Sequence, residues 1–189
     1  MKLKIVTILT LLACFGFAEQ GLAFNQQDLE QLKTAGGCPR CDLSGADLTQ
    51  LNLNLTGANL RGANLSGATL SQVNLTNADL TGANLETAVL NSANLTGASL
   101  TGANLKSASL ENADLSYAGF ISANLEAANL KGAKLQFTNF RAANFRLTTL
   151  DNGVVTSEKD YGWSLERVTS RVCNKFKAEN TPGTTCYTR

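Results

Sequence analysis

A leucine, or occasionally a phenylalanine, occupies every fifth position from Leu55 to Leu150, twenty times without a gap. Two residues before these positions the side chain is alanine in sixteen of the twenty cases. The unit is Ala-(Asn/Asp)-Leu-(Ser/Thr)-Gly, as written at Ala63-Asn64-Leu65-Ser66-Gly67. A fixed period sustained over so many residues predicts a repeat architecture before any other feature is considered.

A period of five matches neither the 3.6 residues of a helical turn nor the two-residue alternation of a β-strand. It fits a short strand segment that is followed by a corner. In Ala103-Asn104-Leu105, strand alternation directs the alanine and the leucine inward and the asparagine outward. The next two residues of most units are Ser, Thr, Gly or Asn, which favour turns. Repeating this unit predicts a solenoid whose successive coils hydrogen-bond to each other.

Two outward columns favour a coil of twenty residues, and therefore four sides. At this spacing one face carries only asparagine: Asn64, Asn84, Asn104, Asn124 and Asn144. On the same face, the residue after the leucine alternates in charge and predicts a surface ladder of Glu86, Lys106, Glu126 and Arg146. Coils stack about 4.8 Å apart, so each opposite-charge pair would contribute about 0.2–1 kcal/mol.

The inward positions predict a core column along the axis of the solenoid, and its representative members are Leu60, Leu65, Leu85, Leu105, Leu125, Phe140 and Phe145. Burying one such side chain contributes roughly 1.5–3 kcal/mol. Ordering the backbone of a coil costs a similar amount. A single coil is therefore not stable alone, and the rod depends on stacking and on closed ends.

The units Ala58-Asn59-Leu60 and Ala83-Asn84-Leu85 resemble the pentapeptide-repeat protein family, whose consensus is A(D/N)LXX. The resemblance covers residues 41–152 and implies an all-β solenoid, a right-handed quadrilateral β-helix of about five to six coils. The segment before the repeats is similar to that of exported members found in cyanobacteria, most of which have no assigned activity. Another branch of the family mimics duplex DNA and binds topoisomerase. The pattern departs from the family at 49–52, where seven residues separate Leu48 from Leu55 and indicate a two-residue insertion.

Residues 1–23 have the features of a secretory signal peptide. Lys2 and Lys4 form a basic start, an apolar run follows, and Gly21 and Ala23 supply the small residues of a cleavage site. The alternative is a lipoprotein signal that ends at Cys14. Export to a periplasm or a thylakoid lumen follows from either signal. The chain without residues 1–23 has 14 basic and 14 acidic residues, and this neutrality disfavours the mimicry of DNA.

Both flanks of the repeats predict helical caps. Within residues 24–40, Asn25 can cap a short helix that runs through Thr34, has Leu29 and Leu32 on one face and is stopped by Gly36-Gly37. Within residues 153–189, one helical face carries Tyr161, Leu165, Val168, Val172 and Phe176. Apolar corner residues of the last coils, Phe137 and Leu147, would support this second helix. The expected state is a monomer, or a weak dimer that forms through the C-terminal cap.

Four cysteines remain after export: Cys38, Cys41, Cys173 and Cys186. An even number in an exported chain favours disulfides, with three possible connectivities. Stacked coils separate the two ends by about 24 Å, whereas bonded cysteines need Cα atoms within about 7 Å. We therefore expect Cys38–Cys41 and Cys173–Cys186, although a C-terminal tail that folds back along the rod would permit other pairs.

The chemistry available to the chain favours a non-enzymatic role. The chain has no histidine, which excludes Ser-His-Asp and Cys-His catalysis. The Cys38-Pro39-Arg40-Cys41 motif has the spacing of thiol oxidoreductases and of some metal sites, but Cys41 falls in an inward alanine position, which favours a structural disulfide. Outward carboxylates are scattered over several faces and form no acid–base pair.

We therefore expect an exported structural or protein-interaction scaffold with an unidentified protein partner. We expect no cofactor, no catalytic or metal-binding residue, and no nucleic-acid partner. The alternatives are a DNA-mimicking modulator of topoisomerase and a thiol–disulfide exchange protein that uses Cys38 and Cys41.

Overall fold

The computed structural model describes residues 24–51 and 54–156. The expected signal peptide, the C-terminal helix and the Cys173–Cys186 pair lie outside these residues. The described chain contains one α-helix, α1 (Gln26–Ala35), and one 3₁₀ helix (Thr49–Leu51), and the rest of it winds into stacked coils.

Parallel bridges between residues twenty positions apart hold the coils together. Asn84 pairs with Asn104 in this way, and Ser99 pairs with Gly119. From Asn59 onward each five-residue unit contributes one such bridge, so four units complete one coil. This is the spacing that the asparagine and charge columns of the sequence predict.

The first coil is longer than the others by two residues. Its bridges join Asp42 to Asn64 and Asp47 to Thr69, a separation of twenty-two residues. The excess falls where the leucine spacing widens from five to seven, and the 3₁₀ helix Thr49–Leu51 lies there. The sides that carry Asp42 and Asp47 therefore still stack on the next coil despite the two extra residues.

Every backbone N–H of a consensus unit is used, as the unit from Asn104 to Ala108 illustrates. Three N–H groups donate to the neighbouring coils, one closes the turn within the unit, and one donates to the asparagine side chain. The five bonds are Asn104 N to Ala83 O (2.9 Å), Leu105 N to Asn124 O (2.7 Å), Lys106 N to Asn104 Oδ1 (3.2 Å), Ser107 N to Glu126 O (2.8 Å) and Ala108 N to Leu105 O (3.0 Å). Unpaired N–H groups in a packed solenoid would be costly, so a coil satisfies its backbone only when it is stacked between two neighbours.

The side-chain bond explains why asparagine or aspartate occupies the middle of the unit. Its oxygen accepts from the N–H two residues later, which neither the turn nor the next coil can satisfy. Asn74, Asn94 and Asp114 all accept from this N–H, at 3.1, 3.0 and 3.1 Å. Where Ser109 stands in this position, the N–H of Glu111 donates instead to Asn91 Oδ1 of the preceding coil at 3.0 Å.

The inward leucines form the core column that the sequence predicts. Leu105 is fully buried, and the other four representative leucines and Phe145 are also buried. Phe140 differs from the expectation because it is only partly buried. It lies in the last described coil, where no further coil covers it, and it stacks on Phe120 below it with ring centroids 5.1 Å apart.

Helix α1 covers the start of the solenoid and ends one residue later than the expected end at Thr34. Asn25 is its N-cap and accepts from Gln27 N at 2.9 Å, and Gly36 ends it with a φ of 65°. Leu29 and Leu32 are buried. The helix also supplies an acceptor to the exposed edge of the first coil, because the Asp28 carboxylate accepts the N–H of Asp42 at 2.7 Å.

The second corner residue of each unit has a left-handed backbone, which is the geometry of a type II turn. Glycine meets this requirement at Gly102, where φ is 66°, but many units place another residue there. Such residues cost roughly 1–2 kcal/mol each in this conformation. The non-glycine residues with this backbone in the repeats, of which the asparagines adopt it most readily, are Gln72, Asn77, Thr87, Ser92, Ser107, Asn112, Tyr117, Ser122, Ala127, Phe137, Ala142 and Leu147.

We predict that Thr87→Gly stabilises the rod by about 0.5–1 kcal/mol, because it removes a β-branched residue from a φ of 56°. Urea unfolding would measure the gain. The matched control is Thr101→Gly, which lies at the first corner position and outside the left-handed set. This control should lose about 0.5–1 kcal/mol through chain entropy. Equal effects of the two substitutions would contradict the strain argument.

Candidate interaction surface

One face of the rod carries a continuous column of amides, here called the asparagine face: Asn64, Asn84, Asn104, Asn124 and Asn144. Each Nδ2 donates to the side-chain oxygen of the residue one coil below. The distances for Asn84, Asn104 and Asn124 are all 3.2 Å, and that for Asn144 is 3.0 Å. Asn64 completes the column by donating to Asp42 at 3.0 Å. The pure column seen in the sequence is thus a hydrogen-bonded ladder that holds one face rigid.

This ladder changes the expectation for substitutions on the face. The outward position of Asn104 suggests that Asn104→Ser is nearly neutral. In the structure its side chain donates to Asn84 and to Glu86, and it accepts from Asn124 and from Lys106 N. A serine is too short to reach both neighbouring coils, so the expectation of neutrality does not fit the structure.

The charge ladder on the same side of the rod forms only among its last three members, Lys106, Glu126 and Arg146. Lys106 Nζ lies 3.4 Å from Glu126 Oε1, and Arg146 donates to the same carboxylate oxygen. The hydrogen bond from Arg146 lowers the pKa of Glu126, and the positive charges of Arg146 and Lys106 add to this effect. Glu86 departs from the prediction: within the described residues it makes no ion pair, and it accepts from Asn104 Nδ2 at 3.3 Å instead.

Two other outward carboxylates form ion pairs with cations on adjacent coils. Asp79 pairs with Arg61 at 2.9 Å, and Asp114 pairs with Lys134 at 3.1 Å. As the sequence suggests, they are distributed over separate faces. These two carboxylates and Glu126 are therefore neutralised locally, whereas Glu86 and Glu111 accept from asparagine amides.

Aspartates in the middle of a unit are held in their charged form by the turn that they cap. The hydroxyl of Thr49 donates to Asp47 at 2.6 Å and its N–H donates at 2.9 Å. These bonds lower the pKa of Asp47. Hydrogen bonds from the hydroxyl and the N–H of Ser44 lower the pKa of Asp42 in the same way.

Cys38 and Cys41 are brought together beneath helix α1. They are 0% and 4% exposed, and their Cα atoms lie 5.5 Å apart, a separation suited to a disulfide. Cys41 occupies the inward position that the sequence assigns to it. Reactive thiolates in redox enzymes are partly exposed, and this enclosed pair lacks that access.

The same cysteines are also the residues best placed to hold a metal ion in the described part of the chain. With the Asp28 carboxylate, their ligand atoms all lie within 4.8 Å of one another. The carboxylate already accepts the N–H of Asp42. Only a reduced form could offer two thiolates to a metal, and a disulfide between the two sulfurs excludes that site.

An exposed aromatic pair is the surface feature that sequence reasoning located only in part. Tyr117 and Phe137 stack with ring centroids 5.0 Å apart, and they are 62% and 61% exposed. The apolar character of Phe137 at a corner is visible in the sequence, whereas Tyr117 was missed. The pair can be recognised when corner residues twenty positions apart are aligned. Gly57, Asn77 and Gly97 are then followed by Tyr117 and Phe137.

We predict that Asp42→Asn/Asp47→Asn weakens the acid sensitivity of the rod. Folding lowers the pKa of both carboxyls, so their stabilisation is complete above the unfolded pKa of about 3.9. It is lost as the pH falls through the folded pKa values. Asparagine keeps the turn bond and does not titrate, so the urea midpoint of the double variant should fall less between pH 6 and about pH 3.

The converse substitution serves as the control. Asn74 caps its turn through Thr76 with the geometry that Asp47 has with Thr49, at 3.1 Å from the N–H and 2.6 Å from the hydroxyl. Asn74→Asp should therefore steepen the loss of stability in acid. Parallel pH profiles for all three proteins would contradict the assignment.

Comparisons with known proteins extend this description. The family model described as pentapeptide repeats matches residues 54–91, 93–132 and 108–146, with eight copies. Among curated proteins, no sequence matches the chain.

Three solved structures illustrate the similarity. A pentapeptide repeat protein from the cyanobacterium Cyanothece 51142 is 31% identical; the match covers 66% of this chain and 95% of that chain, with a TM-score of 0.58. QnrB1, a plasmid-mediated fluoroquinolone resistance protein, is 26% identical over 60% of this chain and 59% of its own, with a TM-score of 0.49. A pentapeptide repeat protein from the Arabidopsis thaliana thylakoid lumen is 26% identical over 67% and 83%, with a TM-score of 0.39. Similarity to the cyanobacterial structure implies a right-handed quadrilateral β-helix.

Proposed function

The chain belongs to the pentapeptide-repeat family, and from this premise we propose that it is a non-enzymatic, exported scaffold that binds a protein partner. The proposal includes a β-helix of about five to six coils over residues 41–152, with helical caps at 24–40 and 153–189. It also includes a monomer, or a weak dimer through the C-terminal cap, as the working state.

The observation that carries the proposal is the continuous hydrogen-bonded ladder of the asparagine face. Its amides are bonded to one another from Asp42 to Asn144. Its backbone is bonded to the coils above and below. A surface that is ordered before binding loses little entropy when a partner docks on it. A long, flat and pre-ordered polar face therefore suits recognition better than chemistry.

The enclosed cysteines support a structural role over thiol–disulfide exchange. Cys38 is fully buried, and its Sγ lies 3.3 Å from the carbonyl oxygen of Asp28 in helix α1. A partner thiol would have to displace the helix to reach it. We therefore assign the pair to holding the N-terminal cap on the first coil.

The paired carboxylates argue against mimicry of DNA. A protein that imitates the phosphate backbone has to present uncompensated negative charge. Here Asp79, Asp114 and Glu126 each lie against a cation of a neighbouring coil. A topoisomerase-binding role is thus the weaker alternative for this chain.

Export is supported by the sequence of residues 1–23, with its basic start, apolar run and small residues before the cleavage position. A periplasm and a thylakoid lumen both accommodate the proposed disulfides. In the part of the chain that the structure describes, no helix is long and apolar enough to span a membrane.

We predict two local disulfides, Cys38–Cys41 and Cys173–Cys186, each at its own end of the mature chain. Peptide mapping of the non-reduced protein by mass spectrometry should find both pairs and no free thiol. Losing the second bond should cost about 2–4 kcal/mol at the C-terminal end. A bond that links the two ends, or a free and rapidly alkylated Cys38, would contradict the assignment.

The scaffold role predicts a partner that is retained through the asparagine face. Immobilised mature chain should retain a protein from the exported fraction of its source, and Ser107→Arg should abolish that retention. Ser107 is exposed and flanks Asn104 on this face. The matched control is Ser92→Arg, which has the same turn position and a φ of 57° but flanks two other faces. Equal retention by the two variants would exclude the asparagine face as the docking surface.

A further inference from the structure

The exposed pair Tyr117 and Phe137, here called the aromatic corner, occupies a costly backbone position. Both residues lie in the left-handed region, with φ values of 61° and 57°. The three coils before them use Gly57, Asn77 and Gly97 at this corner, and these residues adopt the conformation more readily. Two large aromatic residues thus replace favourable ones in consecutive coils, although within the described residues both remain mostly exposed. Contact with something outside the described residues would account for their placement.

The same corner borders the half of the last coil around Leu135 and Phe140, on which no further described backbone stacks. This half is called the open half below. In earlier coils the corresponding N–H groups donate upward, as Leu115 N does to Lys134 O at 2.9 Å and Tyr117 N does to Gln136 O at 2.8 Å. In the last coil, the N–H groups of Leu135, Phe137 and Phe140 have no hydrogen-bond partner among the described residues. Leu135 and Phe140 are also only partly buried. Apolar surface and free strand edge therefore coincide on this side.

The other half of the last coil is closed by the chain itself. Val155 forms an antiparallel bridge with Thr149, and Thr156 N donates to Thr148 O at 2.9 Å. The Thr156 hydroxyl also donates to the carbonyl of Phe145. The described chain ends there, on the coil whose remaining half is open, and thirty-three residues follow it.

We propose that residues 157–189, here called the C-terminal segment, dock on the aromatic corner. The segment covers the open half of the last coil and packs along the side of the rod against Phe137 and Tyr117. This inference rests on the proposed C-terminal cap and extends it from the end of the rod to its side. The occupant follows from connectivity, because the segment begins on the coil that carries Phe137. Thirty-three residues have ample reach to a site one coil away, about 4.8 Å along the axis.

The composition of the segment fits an aromatic surface. It contains Tyr161, Trp163, Leu165 and Phe176, whereas the turn positions around the rest of the rod are mostly small or polar. Aromatic side chains pair favourably with one another when their rings stack or meet at an edge. A tethered segment that carries these aromatic and apolar side chains would bind the exposed aromatic pair without the entropic cost of a separate partner.

The test uses Tyr117→Gly/Phe137→Gly in the full mature chain. Glycine is preferred at both backbone positions, so the substitution removes the rings without straining the coils. We expect hydrogen exchange of residues 157–189 to accelerate about tenfold or more, a loss of protection of about 1.4 kcal/mol, while the central coils remain protected. Trp163 is the only tryptophan of the chain, and its quenching by acrylamide should rise in parallel.

The matched control is Thr87→Gly/Ala127→Gly, which makes the same backbone change at the corner diagonally opposite the aromatic one. It should leave the C-terminal segment protected. If the glycine pair disturbs the coils, Tyr117→Asn provides a milder test, because Asn77 already occupies the same corner with a φ of 57°. It should accelerate exchange of the segment less than the double variant does.

The outcomes separate this inference from the proposed function. A wild-type segment that is protected and unaffected by the aromatic substitutions would overturn docking at the corner and leave the cap in place. A wild-type segment that exchanges freely would overturn the cap and the docking together. If light scattering shows a dimer that the double variant converts to a monomer, with the segment still protected, the corner is a contact between two copies and the proposal is wrong.

Discussion

The register of the coils is set by backbone hydrogen bonds that recur every twenty residues. Leu105 N donates to Asn124 O of the next coil, and Asn104 N donates to Ala83 O of the preceding coil. Each coil is therefore fixed between two others. An ordinary strand leaves the N–H groups of its turn to solvent. Here the Asn or Asp at the middle of the unit accepts the remaining donor. Each five-residue repeat in this chain thus buries two side chains, turns a corner and, between two neighbouring coils, satisfies its backbone.

The predictions from sequence succeed where one periodic rule decides the outcome. The buried leucines, the asparagine column and the helix that begins after Asn25 all follow from spacing and residue type. The predictions are less accurate where a side chain has more than one possible hydrogen-bond or ion-pair partner. Glu86 was assigned to Lys106 because their charges are opposite, but it accepts from the amide of Asn104. Side-chain length and the geometry of the corner decide that choice, and the residue types aligned at a spacing of twenty do not specify either of them.

The end of the rod shows a second kind of limit. Phe140 belongs to the core by its position in the unit, yet burial also requires a coil above it, and the described chain provides none on that side. The stacking of Tyr117 and Phe137 depends on equivalent corners lying directly above one another. That alignment can be inferred only after the twenty-residue coil is known. Periodicity therefore identifies the interior of a solenoid better than it identifies its boundaries and its corners.

The arrangement of helix α1 over the first coil has a consequence for assembly. The first and last coils carry complementary donors and acceptors, because every intermediate coil uses the same bonds to join its two neighbours. Two rods placed head to tail would therefore match in register, and such a contact does not close into a ring but extends as a fibre. Asp28 uses one donor of the first edge by accepting Asp42 N–H, and Leu29 and Leu32 cover the apolar end of the column. A single amphipathic helix thus makes a molecule of finite length from a sequence pattern that has no intrinsic limit.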